Sequence, residues 1–304
     1  MPDAEITVEE GSDGMRLDYY LARHSGLLSR SQIKARKLEA LLNGREVKFS
    51  RQVRTGDTFF LHWEEAESPS LVPEDIPLDI LYEDNDVVVI NKKQGMAVHP
   101  GAGLSRGTLA NALLFRMGLE QSASLRPGIV HRLDKDTSGV IIAAYNERAL
   151  AFLSDQFKER SAKKNYLALV QGGPPQAAGS AETFITRDSK DRKKFTVSET
   201  RGKKALTRYR VLRSWRLHGQ DYSLLLLRPR TGRTHQIRVH LKYLGCPILG
   251  DPLYGRKDKN FSRATLMLHA KRLFIQIPGG EYMNFEAPLP ASFLTLIRKL
   301  EGKV

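Results

Sequence analysis

The chain reads as an α+β protein: a mixed, largely antiparallel sheet domain with flanking helices, preceded by a small helix-helix-hairpin domain. Three observations predict this. Apolar runs at 87–90, 140–144 and 224–227, the first two rich in β-branched residues, have the length of buried strands, and only a few helical patterns separate them. No Rossmann or P-loop glycine pattern accompanies them, so a parallel nucleotide-binding sheet is not indicated. Residues 64–75 hold two prolines, two serines and five acids, the composition of a linker. The expected division is therefore a small domain at 14–63, a linker at 64–75 and a larger domain at 76–304.

The elements follow in order. Residues 1–14 are a polar, acidic arm with a short strand at 6–8. Leu17, Tyr20 and Leu21 fall on one helical face. Ser29-Arg30-Ser31 offers an N-cap for a second helix at 32–42, which carries Lys34, Arg36 and Lys37. Asn43-Gly44 is a turn, and short strands are expected at 47–53 and 58–61 around Thr55-Gly56-Asp57. In the larger domain, residues 82–86 turn into the strand at 87–90. Thr108 caps a helix whose inward face is Leu109, Ala112 and Leu113, ended by Gly118. Another helix spans 147–158, capped by Asn146, and Tyr166 opens an apolar strand. Residues 274–277 form a further strand, and Phe293, Leu296, Ile297 and Leu300 give the last helix its face.

Lys and Arg total 48 against 34 Asp and Glu, a formal charge of +14. Residues 16–54 carry +7 and residues 187–216 carry +9, leaving the rest slightly acidic. Two concentrated basic zones point to a polyanionic partner. The second zone suggests a hairpin arm laid against phosphates, with Phe195 able to stack on a base. A single cysteine, Cys246, excludes an intrachain disulfide and suits a reducing compartment. No basic, apolar leader and no run of about 18 apolar residues is found, so a cytoplasmic protein with no membrane association is expected.

Chemistry concentrates at 128–139. Gly128-Ile129-Val130-His131-Arg132-Leu133-Asp134-Lys135-Asp136-Thr137-Ser138-Gly139 places two carboxylates, cations and two hydroxyls just before the buried run at 140–144. A second polar cluster, 228–240, holds four arginines and no acid. Both adjoin core strands and could meet across one cleft. His235 and His240 lie five apart, on different helical faces, and no metal site is read there. Gly103-Leu104-Ser105-Arg106-Gly107 spells the nucleophile elbow of serine hydrolases, but turn residues precede it where a strand is required, so the match is accidental.

Four ordered motifs carry a resemblance. His131-Arg132-Leu133-Asp134 with Thr137-Ser138-Gly139 resembles the central motif of the RluA-type RNA pseudouridine synthases. Asn91-Lys92, Gly95 and His99-Pro100 resemble the family's first motif, although Lys93-Gln94 stands where a proline is usual. Lys164 with Tyr166 resembles its tyrosine motif, and residues 232–238 its arginine motif. Gly250-Asp251 and Tyr254-Gly255 resemble its tail. Arg16-Leu17-Asp18, Ser29-Arg30-Ser31, Asn43-Gly44 and Gly56-Asp57 resemble the alpha-L RNA-binding motif.

The resemblance implies that uridine in RNA is isomerised to pseudouridine without metal or other cofactor. Large-subunit ribosomal RNA is the favoured substrate. Transfer RNA, or a non-catalytic RNA-binding assembly factor, are the alternatives, and a monomer is expected. Asp134 is the implied catalytic carboxylate, acting at C1′ or at the C2′ proton. Either role needs it ionised in a mostly dry pocket, so a cation must stand close, and Arg233 is the candidate. Tyr166 is implied to stack on the uracil, Ile237 to wall the pocket, Arg132 to fill the space left by an everted base, and His131 beside it to contact the RNA. Arg16, Arg30, Lys34, Lys37, Lys193 and Lys194 are expected to meet RNA phosphates.

Overall fold

A computed structural model of the chain describes residues 3–23, 33, 38–63, 71–101, 103–120 and 126–303. The chain divides into two compact units, Met1–Ser70 and Leu71–Val304.

In the first unit, β1 (Asp3–Thr7), β2 (Glu39–Leu42), β3 (Arg45–Glu46) and β4 (Thr58–His62) form an antiparallel sheet in the order β1-β4-β2-β3. Helix α1 (Leu17–Arg23) buries Leu17, Tyr20 and Leu21, the face expected. They share a core with Ala40, Phe59 and Leu61.

Two expectations are corrected here. The helix at 32–42 does not run to its end, because residues 39–42 are a strand. Leu38, Ala40 and Leu42 are buried while Glu39 is exposed, which is a period of two. Asn43 and Gly44, both at positive φ, then close a two-residue hairpin. The strand at 47–53 is absent, since the Arg51 N–H folds back on the Lys48 carbonyl at 2.9 Å. Ser29, Arg30, Ser31, Lys34 and Lys37 lie outside the described residues.

The second unit is one ten-stranded sheet. Its strands are β5 (Ile80–Glu83), β6 (Val87–Lys92), β7 (Ser138–Ala144), β8 (Lys163–Gln171), β9 (Ala178–Arg187), β10 (Phe195–Ser198), β11 (Lys203–Leu217), β12 (Gln220–Pro229), β13 (Leu268–Gln276) and β14 (Tyr282–Glu286). The order is β10-β9-β11-β12-β8-β13-β7-β6-β5, with β14 on β13, and among these pairings only β13 with β7 is parallel. The sheet is thus mixed and largely antiparallel. Helices α2 (Leu109–Arg116), α3 (Glu147–Glu159), α4 (Gln236–Tyr243) and α5 (Ala291–Leu300) accompany it. Thr108 caps α2 in a reciprocal box with Asn111, and Asn146 caps α3 through the Ala149 N–H. Among the described residues no strand precedes Gly103; Gly101 and Leu104 form an isolated bridge, which does not fit a nucleophile elbow.

Three central strands position the chemistry. All seven residues of β7 are buried, as its apolar run requires. Tyr166 on β8 lies opposite Leu227 of β12 and Ala270 of β13. Gly139, at φ +114°, allows the parallel contact of β7 with β13: a Cβ there would meet the Ala270 carbonyl oxygen at 2.2 Å. Gly139→Ala is therefore expected to destabilise the unit by about 3 kcal/mol or more, combining strain with a backbone clash. A denaturant titration checks this, and an unchanged midpoint contradicts it.

Candidate active site

The loop before β7 is held by polar side chains from β6 and the segment after it. Lys92 is almost wholly buried, and its Nζ donates to the carbonyls of Lys93 (2.9 Å), Met96 (2.8 Å) and Lys135 (3.0 Å). Burial pulls its pKa down to about 8 against the attraction of Asp136 and Asp134. Gln94 Nε2 donates to the Asp136 and Leu266 carbonyls, both at 2.8 Å. Gln94, the second residue of Lys93-Gln94, is thus a tie. The Thr137 N–H closes a turn on the Asp134 carbonyl at 3.0 Å. Together these bonds fix the backbone that carries Asp134.

The Asp134 side chain, 18 % exposed, faces Arg238 Nη1 at 3.4 Å and His235 Nε2 at 3.9 Å. Arg238 is itself buried, with Nε and Nη2 on Asp251 at 2.7 and 2.8 Å. Burial works to raise the Asp251 pKa, but the Arg238 pairing and the backbone N–H groups of Tyr254 and Leu253 hold it below its ordinary 3.8. One guanidinium therefore spends two donors on Asp251 and aims a third at Asp134.

This corrects the choice of Arg233. That side chain donates from Nε to the Lys204 carbonyl at 3.1 Å and lines the cleft without meeting Asp134. The chain turns at His235, in the left-handed region at φ 54°, before α4 begins. Arg238 lies inside the helix beyond that turn, where it meets both carboxylates.

His235 was missed as a neighbour of the carboxylate. Its Nδ1 lies 2.9 Å from Tyr254 Oη, which accepts the Phe195 N–H at 2.8 Å. The Tyr254 hydroxyl hydrogen is then free to donate to Nδ1, leaving Nε2–H towards Asp134. Burial lowers the His235 pKa, so the neutral ring is favoured. The signal available in the sequence was Tyr254 in the tail motif.

Tyr166 is buried, and burial first, then the Asp134 charge, pushes its hydroxyl pKa up. It stays protonated at neutral pH. Asp134, Tyr166, Arg132, Ile237 and Arg233 line one cleft of about 80 Å³, with Leu133 and Leu268 in its apolar wall. Arg132 is exposed, with Nη1 3.4 Å from His99 Nε2.

His131, at the edge of a neighbouring groove, is held by contacts within the fold. Its Nε2 accepts the Ile142 N–H at 3.1 Å and its ring stacks on Phe157 at 4.5 Å. Burial, with Lys164 nearby, takes its pKa down to about 3, so it pins the loop to β7 as a neutral ring. Phe195 likewise packs edge-on against His235 at 5.6 Å and belongs to a small apolar cluster. Lys193 and Lys194 sit between β9 and β10, Lys194 3.4 Å from Asp191. Arg16 belongs to the first unit, 3.0 Å from Asp18. Among the described residues no helix is long and apolar enough to cross a membrane.

A family model described as RNA pseudouridylate synthase matches residues 86–243. A ribosomal large subunit pseudouridine synthase D of Borreliella burgdorferi is 45% identical over 303 residues, 96% of this chain and 91% of that one. An uncharacterized RNA pseudouridine synthase of Bacillus subtilis is 40% identical over 99% of each chain. The solved structure titled human RNA pseudouridylate synthase domain containing 1 is 30% identical, with a TM-score of 0.58 over 75% of this chain and 96% of that one.

Proposed function

The chain belongs to the RNA pseudouridylate synthase family, and we propose that it isomerises uridine in large-subunit ribosomal RNA, in the cytoplasm. The enzyme class, RNA pseudouridine synthase, follows from the family itself. The ribosomal substrate is supported by relatives bearing that description.

One observation carries the assignment of residues: Asp134, backed by an Arg238 that Asp251 fixes in place, opens into the same cleft as Tyr166. A uridine stacked in a helix cannot reach such a cleft, so it must be everted. Arg132 takes the vacated place in the stack. Uracil then lies against Tyr166 and Ile237, and the ribose meets Asp134. The N1–C1′ bond breaks, the ring turns, C5 bonds to C1′, and the C5 proton is lost while N1 gains one, so composition is unchanged. Asp134 acts at C1′ as nucleophile or at C2′ as base; in both cases Arg238 keeps a charged carboxylate tolerable in a sheltered site. Release of tritium from ribosomal RNA carrying 5-tritiated uridine tests the activity. Release from transfer RNA alone would overturn the substrate.

The first unit, Met1–Ser70, is proposed as the RNA-binding module. Deleting residues 1–70 is expected to leave a cooperatively folding protein with weaker RNA binding. Leu71 must remain, because it is buried in a cluster with Ala110 and Leu114. A product that fails to melt cooperatively would contradict the division.

A further inference from the structure

A groove of about 800 Å³ adjoins the catalytic cleft, lined by residues of α3, β8, β12, β13 and β14 and their connections. Among the described residues lining it, nine are Arg or Lys and none is Asp or Glu. They come from stretches far apart in sequence, near 132, 158–164, 228–233 and 272, so no charge run announces them. Arg132, Lys164, Gly232 and Arg233 line both the groove and the cleft, which makes the two continuous.

Arg272 is paired with Glu286, and gathering the other eight like charges works against the folded state unless a polyanion occupies the place. Lys164 illustrates the cost: it is half-buried over the Phe157 ring at 5.4 Å, and burial lowers its pKa. Arg160 ends α3 in the left-handed conformation, φ 65°, that glycine usually takes. Flat apolar faces accompany the cations. Phe274 lines the groove with Lys163 5.3 Å from its ring centroid, and it stacks on Tyr282 at 5.2 Å and 11°. Tyr282 is 59 % exposed. Cations interleaved with stacking faces suit single-stranded nucleic acid, whereas an acidic peptide would use only the charge.

We propose that this groove carries the RNA strand on one side of the target uridine, with phosphates on Arg160, Lys163 and Arg230 and a base on the Phe274–Tyr282 stack. The proposal rests on the reading of RNA as substrate.

The test uses the full chain and a fluorescent single-stranded oligouridine, titrated over a range of salt. Arg160, Lys163 and Tyr282 are exposed, so these substitutions are expected to leave thermal melting unchanged. Arg160→Gln with Lys163→Gln is expected to make the slope of log K against log salt shallower by about 1.4, at roughly 0.7 per phosphate contact. Tyr282→Ala is expected to cost about fivefold or more in affinity with the slope unmoved. An unchanged slope in the double variant overturns the proposal, as does polyglutamate competing as well as oligouridine. Tritium release by the unaltered enzyme is measured alongside. Normal release with an unchanged slope removes the groove and leaves the enzyme reading standing. No release with a shallower slope keeps the groove as an RNA site and removes the enzyme reading.

Discussion

Asp134→Asn is expected to reduce tritium release by about 10⁴-fold or more while RNA binding persists. The substitution is nearly isosteric and leaves untouched the Lys92, Gln94 and Thr137 bonds that set the loop. What it removes is the charge facing Arg238. An amide can neither attack C1′ nor take the C2′ proton, and losses of this size follow removal of a nucleophile or an essential base. Binding depends on other groups, chiefly the exposed Arg132 and the basic surfaces, so the affinity for oligouridine is expected to hold. A chain that only bound RNA would release no tritium in either form. An undiminished rate in the variant would remove Asp134 from the chemistry.

What could be read in advance divides along the range of the interactions. The 131–139 stretch was legible because its residues are consecutive, and a loop entering a wholly buried strand is a local pattern. Tyr166 was legible through its resemblance to the tyrosine motif, at the head of an apolar run. Arg238 was not, because choosing among four arginines requires knowing that the chain turns left-handed at His235 and that Asp251 is buried opposite. The carboxylate in Gly250-Asp251-Pro252, with no basic neighbour in the sequence beside it, was the available clue. The structural use of His131 was hidden for a related reason: in sequence it stands with functional groups, but folding also engages its ring with Phe157 and the Ile142 N–H. The β2 strand lost to a helix pattern because Leu38, Leu41 and Leu42 also satisfy a helical spacing over so short a stretch. The groove beside the cleft was invisible, since its cations converge from separate elements through the pairing of β8 with β12 and β13.

The Arg238 assignment makes the second large prediction, and it separates Arg238 from Arg233 by stability as well as by rate. The Asp251 side chain is fully buried, with Arg238 as its ion-pair partner at 2.7 Å. Arg238→Ala leaves that carboxylate without a counter-charge, a loss of about 3–5 kcal/mol. Domains are stable by only about 5–15 kcal/mol, so the denaturation midpoint should fall sharply. Tritium release should fall too, because Asp134 loses its nearest cation. Arg233→Ala removes a bond to the Lys204 carbonyl at the rim and should change the stability by no more than about 0.5 kcal/mol. Arg238→Lys keeps the charge but not the fork that serves both carboxylates, so it should fall between them. The pH dependence supplies an independent sign. In the unaltered protein the Asp251 pKa is depressed below 3.8, so its contribution is fully present above the unfolded value and is lost as pH falls through the folded one. In Arg238→Ala the guanidinium no longer opposes burial, and protonating Asp251 relieves the variant. The stability gap between the two proteins should therefore narrow as pH is lowered from about 7 towards about 4. A gap that stays constant or widens on acidification would mean that Asp251 is not what Arg238 holds, and the support proposed for Asp134 would fall with it.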